Sequence, residues 1–543
     1  MKILSWLAVG LSLLALAGCN DNDKTVTTSA ATKDSTPPTT TAPQALTITQ
    51  AGRFQVTPFA FDQGGAEILT FDARLQRLFV VNSSARTVDV LDVADPDNVT
   101  QIGQIDAAAE GASANSVSVF GRTLAVAVEA NDKQAPGKVV FYDTTGFTKL
   151  GEAPVGALPD MVVFTPNGQR VLVANEGEPS DDYQTDPEGA ISVIDVSNGF
   201  QQAPVATIGF ADYNDHADAL RAKGIRIFGP DATVAQDLEP EYIAVSADNS
   251  RAYVSLQENN AIAVLDLDDL SVADILPLGY KDHSVAGQGI DPSNEDGFNV
   301  RPAPVFGMYQ PDTIDVFESG GVRYVMTANE GDSRDYDGFS EESDVKDLTL
   351  DATAFPNADQ LQDDSELGDL KITTTLGDTD NDGDYDALYA FGARSFSIRR
   401  ADTGALVYDS GNDFEQITGA RYGDDFNADN TSNDGDDRSD NKGPEPEALA
   451  TGVIGDKRYA FIGLERMSGF MVYDISDVAK PQFVSYINNR DLSADPESGN
   501  AGDLGPESIV FIPAAADSDA NTALLAVGNE VSGSTTLYRL QLQ

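Results

Sequence analysis

From about residue 46 onward the chain alternates short apolar runs with turn residues, in sets that repeat. Residues 68–71, 77–81 and 88–93 make one set, and 116–119, 123–128 and 138–142 the next. Residues 161–164, 170–174 and 190–196 follow, then 242–246, 251–256 and 261–267. Runs this short, rich in Val, Ile, Leu and aromatic residues and bounded by Gly, Asp and Asn, predict strands rather than helices. Asp-Val, Asp-Leu or Asp-Ile often closes the third run of a set, and a more variable fourth run follows. One four-stranded unit cannot bury its sheet face alone, whereas a circle of them can. The expected fold class is therefore all-β: a seven-bladed β-propeller closed by N- and C-terminal strands, with long acidic loop insertions. The period averages roughly 70 residues against ~40–50 for common propeller repeats, and the insertions account for the excess.

A second signature marks the units. Pro159-Asp160 is followed by Asn175-Glu176-Gly177, Pro240-Glu241 by Gln257-Glu258-Asn259, and Pro311-Asp312 by Asn329-Glu330-Gly331. Pro446-Glu447 leads to Glu465-Arg466, and Pro506-Glu507 to Asn529-Glu530. Two degenerate copies, Ala66-Glu67 with Asn82 and Asn115-Ser116 with Glu129, bring the total to seven units. In the fifth, the third strand is delayed by an insertion over 332–386, and the chain resumes at 388–391, 395–399 and 405–408. Counted separately, that late segment would make eight units. Unit seven shows no fourth strand of its own, and the spare segment 46–58 is the candidate to supply it. Such closure would remove exposed sheet edges.

Composition narrows the function. Hydrophobic residues make up 41% of the 543, ample for a core, while 34 Lys plus Arg stand against 88 Asp plus Glu, a formal net charge of -54. Such a surface repels nucleic-acid phosphates and attracts divalent cations; adaptation to salty surroundings accounts for the same charge. Only two histidines, His216 and His283, are present, which disfavours a multi-histidine zinc site. Lys2, an apolar stretch from Ile3 and Leu16-Ala17-Gly18-Cys19 read as a bacterial lipoprotein signal, in which Cys19 is lipidated. The alternative is an ordinary secretory signal with an incidental cysteine. The expected organisation is a signal peptide at 1–18, a Thr/Ser/Pro-rich flexible tether at 19–45, and the propeller at 46–543. The expected location is the bacterial cell envelope, lipid-anchored to a membrane and facing the periplasm or exterior.

In a propeller, a residue repeated at one place in every unit forms a ring around the axis. Asp160, Glu241, Asp312, Glu447 and Glu507 would form one ring, and Glu176, Glu258, Glu330, Glu465 and Glu530 a second. So many like charges raise one another's pKa unless cations compensate; Arg334, Arg394, Arg466, Arg490 and Lys442 are the candidates. Carboxylates beside arginines suit a metal ion together with an anionic substrate. The competing explanation is that each acid merely caps a turn. A sharper motif is Asp378-Thr379-Asp380-Asn381-Asp382-Gly383-Asp384-Tyr385-Asp386. Oxygen ligands at alternate positions with glycine sixth match the front of a calcium loop, although Tyr389 stands where an EF-hand has its glutamate. Asp378, Asp380, Asp382, Asp384 and Asp386 are the expected Ca2+ ligands, against a merely solvated acidic turn. Residues 291–297 and 434–437 carry weaker versions of the signal. Neither a nucleophile elbow nor a Walker A loop is present.

FGPDATVAQDLEPEYIAVS (228–246), LQENNAIAVLDL (256–267), TANEGDSRDYDGFSEE, GDTDNDGDYDALYAFGARSFSI, KGPEPEAL, YAFIGLER and GNEVSGSTTLY together resemble the choice-of-anchor I family of secreted bacterial β-propellers, over residues 46–543. The resemblance implies an exported seven-bladed propeller attached by variable means, with Cys19 in the anchoring role here. Some members carry an alkaline-phosphatase label and others are treated as cell-surface glycoproteins. The first implies a metal-dependent phosphoesterase. Its metal ligands would lie among Glu241, Asp312, Glu330, Glu447 and Glu507, with Glu330 and Glu447 at the reacting centre. Arg334 or Arg394 would steady an anionic small-molecule substrate, and a second divalent metal would accompany Ca2+. The other reading is a non-catalytic surface propeller that binds a protein, glycan or matrix partner and carries structural calcium.

Overall fold

The apolar runs fold into antiparallel strands, four to a sheet, in the computed structural model, which describes residues 45–515 and 518–543. The fold class is all-β, with sheet predominating. Among the described residues there are seven four-stranded sheets, one five-stranded sheet and one hairpin. The signal segment, Cys19 and the tether lie outside the described residues.

The first strands of the seven sheets are Leu69–Asp72, Ala114–Phe120, Pro159–Phe164, Ile243–Val245, Ile314–Ser319, Pro446–Ile454 and Pro506–Pro513. Each packs beside the first strands before and after it, and Leu69–Asp72 lies beside both Ala114–Phe120 and Pro506–Pro513. Middle strands such as Thr123–Val128 are buried on both faces, whereas an outer strand such as Thr100–Asp106 is largely exposed. A strand sandwiched between two neighbouring sheets has no polar face, so it reads as a continuous apolar run. The core is accordingly a series of apolar layers between sheets. One layer joins Leu172, Ile191, Val254 and Leu265, and another joins Phe396, Ile462 and Tyr473. In the latter, the Phe396 and Tyr473 rings meet edge to face at 4.8 Å, a favoured aromatic geometry.

The aspartates that close third strands have a local cause. Asp92 Oδ1 accepts the Ala94 amide at 3.0 Å, Asp195 Oδ1 that of Ser197 at 3.0 Å, and Asp266 Oδ1 those of Asp268 and Asp269 at 2.9 and 3.1 Å. Each folds the exit turn back toward its own carboxylate.

The last sheet joins the two ends of the folded region. Leu46–Gln55 pairs antiparallel with Ser534–Leu542, from Leu46 opposite Leu542 to Gln55 opposite Ser534. In the fifth sheet, the chain leaves after Val322–Asn329 and returns as Ser395–Arg400 and Leu406–Asp409. The apolar run at 388–391 was expected among these strands, and the structure corrects this. Tyr389–Ala390 belongs to the five-stranded sheet with Tyr280–Asp282, Phe306–Met308, Lys371–Thr373 and Glu342–Asp344. The 332–386 insertion and a second one, 279–308 between the fourth and fifth sheets, thus share a sheet and an apolar core that includes Leu350, Leu370, Ile372 and Leu388. A third insertion, 413–443 between the fifth and sixth sheets, opens with a helix, Asp413–Tyr422. Among the described residues no helix is long and apolar enough to cross a membrane.

Candidate functional site

The Pro-acid pairs are aimed by backbone geometry. Leu158, Gln310 and Glu445, each immediately before the proline, have φ of 44°, 36° and 47°, and Gly505 takes the same role at 66°. Positive φ is uncommon for side-chain-bearing residues. It recurs here because the chain must turn sharply as it enters the first strand. The entries are also irregular in pairing, with register shifts between Pro159 and Val162, Pro446 and Leu449, and Pro506 and Ser508. A bulge of this kind re-aims a side chain, and the re-aimed residues are Asp160, Glu447 and Glu507.

In the Asn-Glu pairs the two residues divide the work. Asn175 Nδ2 donates to the Ala190 carbonyl at 2.9 Å, and Asn329 Nδ2 donates to Ser397 Oγ at 2.9 Å. These buried amides fasten the second strand to the third, and the following glutamates, Glu176 and Glu330, reach the axis.

They converge on one cavity of about 430 Å³. Glu67, Asp160, Glu176, Glu241, Glu258, Asp312, Glu330, Asp332, Glu447, Glu507 and Glu530 line it, and among the described residues no lysine or arginine belongs to its wall. Of the ten acids expected in the two rings, nine are wall residues. Glu465 lies behind, buried and held 3.0 Å from Arg466. Burial, reinforced by neighbouring carboxylates, drives the pKa values upward. Glu258 and Glu530 are pushed up to about 7, and Asp160 to about 6. Glu241, Asp312, Glu447 and Glu507 are raised well above the usual range by burial first and then by a neighbouring carboxylate, Glu258, Glu330, Glu507 and Glu530 respectively. The Glu330 carboxyl is raised by burial, with Lys442 opposing.

Oxygens of Asp312, Glu330 and Glu447 all lie within 4.8 Å of one another. That span suits one ion coordinated at the ~2.3–2.6 Å typical of calcium–oxygen bonds. Glu241 Oε2, Glu258 Oε2 and Glu447 Oε2 are buried and accept no hydrogen bond, so the wall has unused donor capacity. A second triplet, Glu330, Glu445 and Glu465, is already neutralised. Arg438 Nη2 and Arg466 Nε reach Glu445 Oε1 at 2.6 and 3.0 Å, and Lys442 Nζ reaches its Oε2 at 3.2 Å. Burial pushes the Glu445 carboxyl up, but the three cations outweigh it and hold its pKa far below normal. Lys442 also lies 3.3 Å from Oε1 of Glu330, one of the expected reacting carboxylates.

Arg334 and Arg394 do not face the cavity, which corrects their expected role. Arg334, the bulkiest fully buried side chain, holds Asp237 Oδ1 at 2.6 Å and Glu239 Oε1 at 3.1 Å beneath the Phe228 ring. Arg394 is spent on Glu415 and the carbonyls of Asp291, Ser439 and Asn441. A guanidinium whose donors are committed to buried acceptors cannot also clamp a phosphate without leaving those acceptors unpaired. Arg490 is likewise bound to carbonyls of Arg466, Asp429 and Ser432. His283 is buried against Lys281, and its pKa falls to about 3 through burial first and that lysine second.

The 378–386 loop lies at the surface and divides its acids. Oxygens of Asp378, Asp380 and Asp386 converge, while Asp384 joins Asp386 and Asp351. Asp382 lies outside both groups, and its Oδ1 accepts the Asp384 amide at 3.2 Å. Gly383 adopts φ 97°, the left-handed turn expected at the sixth position. Asp351 escaped the sequence reading because it belongs to a distant segment, bridged to Tyr385 by main-chain pairing. Glu239 and Glu445 were also missed, although Glu239-Pro240-Glu241 and Glu445-Pro446-Glu447 repeat one Glu-Pro-Glu pattern.

Fold and site together define an all-β protein of propeller type with an acid-walled axial cavity. The chain matches the choice-of-anchor I domain over residues 67–478 and belongs to that family. It is 37% identical over 121 residues to Gigasin-3a of Magallana gigas, covering 21% of this chain and 42% of that protein. It is 27% identical over 321 residues to the mesenchyme-specific cell surface glycoprotein of Strongylocentrotus purpuratus, covering 50% and 40% respectively. The chain thus spans less than half the length of either relative. Among solved structures, hydrazine synthase of Kuenenia stuttgartiensis aligns at TM-score 0.44 and 14% identity, covering 89% of this chain and 98% of that one. Streptogramin B lyase aligns at 0.41 and 9%, covering 92% and 98%. Likeness at this level assigns no activity.

Proposed function

We propose that this protein is a seven-bladed β-propeller, closed by the pairing of Leu46–Gln55 with Ser534–Leu542, that is displayed at the cell envelope and binds divalent cations in its axial cavity. The observation that carries the reading is the convergence of Asp312, Glu330 and Glu447 within 4.8 Å, in a wall of acids without a lysine or arginine. Glu241 and Glu507 complete the donor set. Oxygen-only ligands favour a hard ion such as Ca2+ or Mn2+. Isothermal titration of the full chain with each ion tests this: Glu447→Gln with Asp312→Asn should remove the axial binding event, and unchanged titration would refute it.

A second reading, a metal-dependent phosphoesterase, draws on the raised carboxyls of Glu447 and Glu507 and on Lys442 beside Glu330. A divalent ion held there would supply Lewis acidity, the carboxyl pair would donate or accept a proton, and Lys442 would offset an anionic group. Alanine at Glu330 or Glu447 should then abolish phosphate release from a panel of phosphomonoesters and diesters while the fold survives. Cation binding without turnover in the parent would leave the non-catalytic surface propeller, which binds a protein, glycan or matrix partner. Similarity to the mesenchyme-specific cell surface glycoprotein of Strongylocentrotus purpuratus supports surface display. The anchor in this reading is lipid on Cys19; Cys19→Ser should release the chain from membranes, and retention would overturn it. Calcium at 378–386, supported by the convergence of Asp378, Asp380 and Asp386, would pin the largest insertion.

A further inference from the structure

Two insertions meet at a second acidic group, none of whose members lines the axial cavity. Asp291 comes from the insertion between sheets four and five. Glu415 lies on the helix Asp413–Tyr422, and Asn427 and Asp436 lie in the loop beyond it. Relative exposures are 0%, 1%, 0% and 3%, so all four are interior. A relay connects three of them. Asn427 Nδ2 donates to Glu415 Oε1 and to Ser439 Oγ, both at 3.0 Å, and Ser439 Oγ donates to Asp436 Oδ1 at 2.6 Å. The relay uses one oxygen of each carboxylate. Asp291 Oδ1, Glu415 Oε2, Asn427 Oδ1 and Asp436 Oδ2 remain buried without a hydrogen-bond partner.

Unpartnered buried oxygens are rare and costly in native proteins, and four in one neighbourhood demand a common partner. Charge points the same way. Asp291, Asp296, Glu366 and Glu415 share two guanidiniums, and Asp436 forms no ion pair among the described residues. Arg394 Nη1 lies 2.6 Å from Glu415 Oε1, and Arg301 Nη1 lies 3.3 Å from Asp296 and 4.0 Å from Asp291 Oδ1. Arg301 Nη2 is also drawn to Glu366 at 3.3 Å. The Gly297 amide faces Asp436. Burial first, and then Glu415 and Asp436, pushes the Asp291 carboxyl up to about 8; buried like charges without enough counter-charge behave this way.

We propose that Asp291, Glu415, Asn427 and Asp436 form an internal calcium site that ties the 279–308 insertion to the 413–443 insertion. Three carboxylates and an amide carbonyl are hard oxygen donors; their four free oxygens would fill four of the six to eight positions calcium takes, and water the rest. The carboxylate oxygens stand farther apart than those of the axial group, so the ion draws them inward by side-chain rotation. The site is independent of the axial cavity and of the 378–386 loop.

The test is calcium content of the full chain by equilibrium dialysis, in the parent and in Asp291→Asn with Asp436→Asn. The double variant should hold one fewer equivalent than the parent, and equal stoichiometry would overturn the proposal. The parent alone gives a second readout that does not depend on the variant folding. Crystals grown with Sr2+ should show an anomalous peak among Asp291 Oδ1, Glu415 Oε2, Asn427 Oδ1 and Asp436 Oδ2. Anomalous peaks confined to other sites would overturn it.

Discussion

Asp312 and Glu447 enter different, neighbouring sheets, yet their carboxylate oxygens approach within 4.8 Å, with Glu330 completing the triangle. Mutual repulsion at this range is tolerable only if the acids are protonated or share a cation, and this choice sets most of the predictions.

Stability should depend on pH in a direction opposite to that of an ordinary salt-bridged protein. The folded-state pKa values of Glu258 and Glu530 are raised to about 7 and that of Asp160 to about 6. Between the ordinary carboxylate range and pH 7, the folded state therefore binds more protons than the unfolded state. Unfolding free energy falls with pH wherever that holds. The contribution is complete below the unfolded pKa and lost as pH rises through the folded one. Metal-free protein should show a falling Tm from pH 4.5 to 7.5 in ~0.15 M salt, chosen to screen exposed charges. A flat or rising profile would contradict the protonated cavity.

A divalent ion should reverse that loss. It stabilises the ionised acids, so Ca2+ or Mn2+ should raise Tm far more at pH 7.5 than at pH 4.5, by the mass-action linkage of ligand and folding. In Glu447→Gln with Asp312→Asn, the pH-dependent part of this rescue should disappear.

Arg334 is predicted to matter for stability rather than for cation binding. Its removal strands Asp237 and Glu239, both buried, and breaking a buried pair from one side costs about 3–5 kcal/mol. Arg334→Met should lower the urea midpoint accordingly. Where the variant still folds, axial cation affinity should stay near the parent value.

The 378–386 loop should govern local protection. Asp378→Asn with Asp380→Asn should make proteolysis within 332–386 insensitive to Ca2+, while the parent becomes more resistant when Ca2+ is added. Limited proteolysis read by mass spectrometry separates this loop from the axial site, whose titration should be unaffected.

The strand at 46–55 offers a test of how the two ends support each other. Deleting Leu46–Gln55 leaves the outer edge of Ser534–Leu542 unpaired, an invitation to intermolecular strand addition. The truncated chain should show a lower Tm and concentration-dependent association by light scattering.

Strand positions, the all-β class and the repeated acids were legible because they are local or periodic. A strand sandwiched between sheets must be apolar throughout, and a turn closed by aspartate leaves its mark in one or two residues. The repetition of Pro-acid and Asn-Glu placed Asp160, Glu241, Asp312, Glu447 and Glu507 at equivalent positions, and equivalence around an axis implies convergence. By contrast, the cations were misplaced. Nothing near Arg334 or Arg394 in the sequence announces Asp237, Glu239 or Glu415, because those partners arrive from other insertions.

By itself, then, the sequence determined which residues form strands, which carboxylates recur and which loop carries the calcium-like spacing, since these follow from short-range patterning. Tertiary structure alone decided which charges meet. It sent Tyr389–Ala390 to an accessory sheet, set Asp351 beside Asp384, spent Arg334 and Arg394 on buried acids, and left the wall around Asp312, Glu330 and Glu447 without a lysine or arginine. The physical reason is that strand formation depends on residues adjacent in the chain. The ionisation of a buried carboxylate depends on everything packed within a few ångströms, and that company is assembled only by the fold.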